Sequence, residues 1–144
     1  MKVQFRQVSS SDQEEAVICG MRKTESIRRA MDILEHGIGS IAVMLEGNTH
    51  LCRMDQIYYV ESVDKRTYVY TKDQCFESKS RIYELEEELD SNFLRCAKAM
   101  IVNLRKIRSV KSEYNGRMLA QLLNGETIVV SRSYVKDLKR RLGI

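Results

Sequence analysis

The sequence predicts an α+β fold in which antiparallel β-strands predominate and the helices are few and small. Three observations carry this. Short runs rich in aromatic and β-branched residues recur, among them Ile57-Tyr58-Tyr59-Val60 and Thr67-Tyr68-Val69-Tyr70-Thr71, and such residues suit a pleated, half-buried surface. Asn115-Gly116 and Asn124-Gly125 separate runs of this kind; both residue types tolerate the positive φ that tight hairpins demand. Apolar residues at helical spacing are confined to short segments.

Taken in order, Met1 to Val8 alternates and predicts a short strand carrying Val3, Phe5 and Val8. Ser11 followed by Glu14 matches a reciprocal N-terminal cap, so a short helix is expected from there through Cys19, stopped by Gly20. Thr24 to His36 places Ile27, Ala30, Met31, Ile33 and Leu34 mostly on one face, a better-supported helix that Gly37 and Gly39 end. Ile41 to Glu46 and His50 to Met54 read as a hairpin turning at Gly47-Asn48. Asp55 to Ser62 and Thr67 to Thr71 read as two antiparallel strands joined at Lys65 and Arg66, with a third strand around Gln74 to Glu77. A helix follows from Ser80, with Ile82, Leu85 and Leu89 on one side, and ends at Asp90-Ser91-Asn92. Its cluster Glu84, Glu86, Glu87, Glu88 resembles a metal or acid–base site, but adjacent helical residues point in different directions, so it reads as a solvated face. Phe93 to Ala97 and Ile101 to Leu104 are extended segments interrupted at Lys98-Ala99. Strands then follow at Ile107 to Ser112, Leu119 to Leu123 and Thr127 to Val130. Ser131-Arg132-Ser133 caps a terminal helix, Tyr134 to Leu142, ending at Gly143.

At 144 residues and 43% hydrophobic content the chain can pack a core as one domain with a short appendage. Residues 1–45 are expected to form an N-terminal strand and helix extension, a candidate dimerisation or sheet-completing element, and residues 46–144 the main domain. Apolar runs fall far short of the roughly 20 residues that span a bilayer, and the N-terminus lacks the apolar core of a secretory signal. The expected location is the cytoplasm. Cys19, Cys52, Cys75 and Cys96 lie at spacings that match no metal or redox pattern, and His36 and His50 are the only histidines. No metal site and no cofactor are expected. Nor does the sequence hold a glycine-rich phosphate loop or a nucleophile and base at recognisable spacing, so an enzyme with a small-molecule substrate is not expected.

The net charge of +4 hides a division along the chain. From Arg95 onward twelve Lys or Arg stand against three acids, a balance of +9 that leaves −5 for the first 94 residues. Such asymmetry suits an approach to a polyanion, because neutralising phosphates releases condensed counterions. Phe93 to Arg108 concentrates the pattern: Met100, Ile101, Val102, Leu104 and Ile107 anchor a segment that carries five cations and no acid. A buried strand with solvated basic flanks would have the same composition.

The ordered pieces I-Y-Y-V-E-S (57 to 62), T-Y-V-Y-T (67 to 71), Y-E-L-E-E-E-L (83 to 89), F-L-R-C-A-K-A-M-I-V-N-L-R-K-I (93 to 107), L-N-G-E (123 to 126) and V-S-R-S-Y-V-K-D-L (130 to 138) resemble the LytTR family of bacterial DNA-binding domains. The resemblance implies an elongated fold of antiparallel sheets with small helices that reads duplex DNA through loops. Carried over by position, it implies contacts from Lys65, Arg66 and Thr67, from Arg95 and Lys98, and from Ser131, Arg132 and Ser133. Asn103 matches the family's V-N, as a contact or as the residue fixing the turn. Many members have His or Ser where this chain has Cys96-Ala97-Lys98-Ala99, which leaves base preference there open, since Lys serves guanine or phosphate alike. Only about 45 residues precede the match, too few for a receiver domain of ~100 residues, so a stand-alone regulator is implied. The implied partners are duplex DNA and a second copy of the chain, with a membrane-associated regulatory partner as a further candidate. The other reading is a protein-interaction module on the same scaffold that antagonises a paralogous regulator; the retained cationic turns argue against it.

Overall fold

A computed structural model describes all 144 residues. The chain forms two compact units, Met1–Gly37 and Ile38–Ile144.

In the first unit the one regular element is α1, Glu25–His36. Thr24 caps it, its hydroxyl accepting the Ile27 N–H at 3.3 Å, and Gly37 leaves it at φ 78°. The strand expected at Met1 to Val8 does not form, nor does the helix expected from Ser11 to Cys19. Only a 3-10 turn at Ser11–Gln13 appears. The reasons are physical. No second strand pairs with Val3 and Phe5, which stay 85% and 92% exposed, and Ala16-Val17-Ile18 are contiguous and give no stripe along a helix. The expected Ser11–Glu14 cap does not form: Ser10 holds the cap position without a side-chain bond to the backbone, and the Ser9 N–H and hydroxyl both donate to Gln13 Oε1.

The second unit is built on a seven-stranded antiparallel sheet in the order β2-β1-β5-β4-β3-β7-β6. Its strands are β1 (Ser40–Leu45), β2 (Asn48–Arg53), β3 (Tyr59–Val63), β4 (Arg66–Tyr70), β5 (Cys75–Ser78), β6 (Phe93–Ala97) and β7 (Met100–Asn103). A three-stranded sheet comprises β8 (Ile107–Ser112), β9 (Met118–Leu122) and β10 (Thr127–Val130), with β9 central. Helix α2 (Ile82–Glu88) links β5 to β6, and α3 (Arg132–Leu142) follows β10. The fold is therefore α+β and mostly antiparallel sheet, as the residue pattern predicts. Residues 40–45, placed in the N-terminal extension by the sequence, pair with β2 and β5 inside the main sheet.

Two hairpins turn through left-handed residues that are not both glycine. Glu46 and Gly47 have φ 52° and 80°, one residue earlier than the expected Gly47-Asn48. Asp64 and Lys65 have φ 50° and 66°, so Arg66 begins β4 opposite Val63 and is not part of the turn itself.

Alternation along the strands gives the large sheet a core on each face. Val60, Val69 and Ile101 pack with Ile41, Val43, Ile57 and with Leu85 and Leu89 from the α2 segment. The neighbours one residue along, Tyr59 and Val102, join Met118, Ala120, Leu122, Ile128 and Val130 of the small sheet and Leu138 of α3. The small sheet and α3 thus close the second face, and α2 lies on the first.

Candidate nucleic-acid interface

The registers bring three cationic turns to one end of the large sheet. β3 runs into the Asp64-Lys65 turn, and its neighbour β7 starts from the Lys98-Ala99 turn, with Glu61 opposite Met100. The two turns are joined directly, because the Ser62 N–H donates to the Ala99 carbonyl at 2.8 Å. On the far side of β6, the Ser131 N–H donates to the Cys96 carbonyl at 2.9 Å, which fixes the start of α3 beside the same turn. Lys65, Arg66, Lys98, Arg132 and Ser133 are exposed there, and Ser131 is half-buried. None of the four cations forms an ion pair. Their charge is available to an external anion.

Arg95 has another task. Its Nε donates to the Ala97 carbonyl at 3.0 Å, its Nη2 to the Lys98 carbonyl, and its Nη1 pairs with Glu86 of α2. The side chain is largely covered and clamps the β6–β7 turn from behind, at the irregularity in register between Arg95 and Ala97. Two of the residues expected to contact DNA are withdrawn into the core. Thr67 is 3% exposed, on the same side of β4 as Val69. Asn103 is 2% exposed; its Nδ2 donates to the Ile57 carbonyl at 2.8 Å and its Oδ1 accepts the Arg105 N–H at 3.0 Å. Both side chains are turned away from the surface, and Asn103 ties the end of β7 to Ile57 and Arg105.

The sequence reading missed Lys79 and Arg81. Thr67 pairs with Ser78, so Lys79 continues beyond β5 beside Arg66; both missed cations are exposed and neither side chain forms an ion pair, although the Arg81 backbone N–H donates to Glu84 Oε1 at 3.0 Å. Counting charge only from Arg95 onward hid them inside the net acidic part of the chain. The signal was the run Ser78-Lys79-Ser80-Arg81, two cations between a strand and a helix start.

Beneath this rim lies Cys96, fully buried, with its Sγ 3.6 Å from the Met100 carbonyl. Burial pushes its thiol up to about 12, so it stays neutral and fills space. Farther along the sheet Tyr59 and Tyr70 stack with ring centroids 4.4 Å apart. Burial, followed by a hydrogen bond with Glu126, raises the Tyr59 hydroxyl well above the usual phenol range.

Residues 47–143 match the sequence profile of the LytTr DNA-binding domain. The chain belongs to the LytTR family. An uncharacterized HTH-type transcriptional regulator of Staphylococcus aureus (strain bovine RF122 / ET3-1) is 31% identical over 100 residues, covering 69% of this chain and 68% of that protein. The sensory transduction protein LytT of Enterococcus faecalis is 27% identical over 113 residues, covering 76% of this chain but 47% of that protein. Among solved structures, a LytTr DNA-binding domain from Bacillus cereus, in a protein described as a methyl-accepting/DNA response regulator, superposes with a TM-score of 0.70. It is 26% identical, and the match covers 74% of this chain and 98% of the other. The label HTH-type in the staphylococcal name does not describe this LytTR chain, whose helices α2 and α3 are separated by five strands, β6 to β10.

Proposed function

We propose that the protein is a transcriptional regulator that binds duplex DNA sequence-specifically, in the bacterial cytoplasm and as a homodimer on paired sites. The observation that supports this best is the joining of three cationic turns by the Ser62–Ala99 and Ser131–Cys96 hydrogen bonds, with cations that no carboxylate neutralises. Turns of this size can enter a major groove, which is about 12 Å wide. Arg132, Lys98 and Arg66 are the residues we assign to base or groove contacts. Arg132 matters most, since a guanidinium donates two parallel hydrogen bonds to guanine O6 and N7. Lys65, Lys79 and Arg81 supply phosphate contacts that set register and affinity without reading sequence.

The test selects a binding site from a pool of random duplexes and titrates parent and variant against it by gel shift. Arg132→Ala is expected to weaken specific binding by about 1–3 kcal/mol while leaving weak binding to unrelated DNA nearly unchanged. A variant that binds the selected site as tightly as the parent removes Arg132 from the interface. A parent that selects no site at all overturns sequence-specific recognition.

A further inference from the structure

The two Asn-Gly turns of the small sheet have the same local design. In the first, the Glu113 N–H donates to the Arg117 carbonyl at 2.9 Å, the Gly116 N–H to the Glu113 carbonyl at 3.2 Å, and the Arg117 N–H to Asn115 Oδ1 at 3.1 Å. In the second, the Leu122 N–H donates to the Glu126 carbonyl at 2.7 Å, the Gly125 N–H to the Leu122 carbonyl at 3.0 Å, and the Glu126 N–H to Asn124 Oδ1 at 3.1 Å. Both glycines are left-handed, at φ 86° and 91°. Their surroundings differ. A Cβ on Gly125 would meet nothing within 4 Å, whereas one on Gly116 would lie 2.7 Å from Arg132 Cδ and 2.9 Å from Arg132 Cγ.

The register explains the meeting. Met118 pairs with both Ser112 and Val130, so the β8–β9 turn and the start of α3 leave the small sheet at the same end. The Arg132 stem lies across the bare Cα of Gly116.

We propose that Gly116 is a positioning residue for DNA recognition: the missing side chain provides the seat for the Arg132 methylenes and so directs the guanidinium. This rests on the reading that Arg132 contacts DNA. An exposed arginine has many rotamers, and holding two of its methylenes against a fixed surface reduces the freedom lost when the head group binds. A Cβ at Gly116 displaces a flexible stem and leaves the sheet backbone where it is. Beyond the left-handed strain that any side chain would meet at φ 86°, the added cost falls on the aim of Arg132.

Gly125→Ala is the matched control, because it imposes the same left-handed strain with no arginine to move. Both glycine variants are expected to lose similar amounts of melting temperature. Gly116→Ala is expected to weaken binding to the selected duplex about tenfold relative to Gly125→Ala, and to add nothing in an Arg132→Ala background. In the free protein, NMR order parameters of the Arg132 Nε–H group should fall in Gly116→Ala and hold in Gly125→Ala. If Arg132→Ala is weak but the two glycine variants bind alike, the inference fails and the reading of Arg132 stands. A further loss from Gly116→Ala in the Arg132→Ala background would also overturn it, since the turn would then act by itself. Parent-like binding by Arg132→Ala would overturn both.

Discussion

Asn103→Ala separates a scaffold residue from a DNA contact. The amide donates to the Ile57 carbonyl at 2.8 Å and accepts from the Arg105 N–H at 3.0 Å, inside a side chain only 2% exposed. Alanine removes both bonds. Ile57 is fully buried, so its carbonyl loses this partner without access to solvent, at a cost of about 1–3 kcal/mol, and the second bond adds about 1 kcal/mol. The expected loss is about 2–4 kcal/mol, a fall in melting temperature of roughly 10–20 °C for a unit of this size. DNA binding should survive in the folded molecules, because Asn103 sits at the far end of β7 from the Lys98-Ala99 turn, on the order of 10 Å away at ~3.3 Å per residue. Urea titration gives the stability, and gel shift in the cold, where the variant is folded, gives the affinity. If Asn103→Ala unfolds like the parent but no longer binds DNA, Asn103 is a contact and the scaffold assignment is wrong.

The remaining expectations are shorter. Arg95→Met should cost about 1–2 kcal/mol of stability, because the carbonyls of Ala97 and Lys98 lose their donor, while Glu86→Gln should stay within about 0.5 kcal/mol, its carboxylate being well exposed; equal losses in urea titrations would mean that the ion pair holds the turn. Lys65→Gln and Lys79→Gln should each reduce the slope of log affinity against log salt by about 0.9 and leave sequence preference intact, whereas an unchanged slope would place that lysine off the phosphates. Cys96 should resist iodoacetamide at pH 8 in the native protein while the exposed Cys19 reacts, as mass spectrometry of the labelled chain would reveal. The Cys96 thiol ionises near 9.0 when unfolded but only at about 12 when buried. Across that window the unfolded state holds fewer protons, so the Cys96 contribution makes stability fall as pH rises from 9 toward 12 and leaves it flat below; in urea titrations the fall should be shallower in Cys96→Ala than in the parent, and equal slopes would contradict the burial.

What could be read from the residues depended on whether a local rule was enough. Asn115-Gly116 and Asn124-Gly125 announce their turns because glycine relieves the strain of positive φ. Asp64-Lys65 contains no glycine, so residue type alone points one position late, to Lys65 and Arg66, whereas Arg66 starts the strand. Thr67 fails for a different reason. In Thr67-Tyr68-Val69-Tyr70 every side chain suits a strand, so nothing local says which parity faces α2, and the burial of Val69 decides it. Arg95 and Lys98 are both cations in one basic segment, and composition cannot tell them apart. The irregular β6–β7 pairing and the position of Glu86 turn Arg95 inward, and both depend on tertiary placement of α2. The family resemblance carried the order of elements well; it could not state which matched residues are buried.

The proposed homodimer can be argued from α1. None of its residues is buried, and Ile33 and Leu34 remain 42% and 62% exposed on a helix whose apolar residues gather on one face. Isolated helices shorter than about 12–15 residues are marginal in water, because nucleation costs more than a few turns repay. A helix of 12 residues with an apolar face therefore gains most from association, and a second copy of α1 offers the same face in self-complementary form. Leu34→Glu places a charge on that face and leaves every residue of the large sheet unchanged. Sedimentation equilibrium of the full chain should then shift from dimer toward monomer, by roughly tenfold or more in dissociation constant if the leucine buries most of its side chain, worth about 1.5–3 kcal/mol. Affinity for a single half-site should stay at the parent's value, while affinity for paired sites should fall, because two linked modules gain through effective concentration. A parent that sediments as a monomer at every concentration, or a variant whose dimer is as tight as the parent's, would remove α1 from the assembly and leave paired-site binding to be explained by the DNA alone.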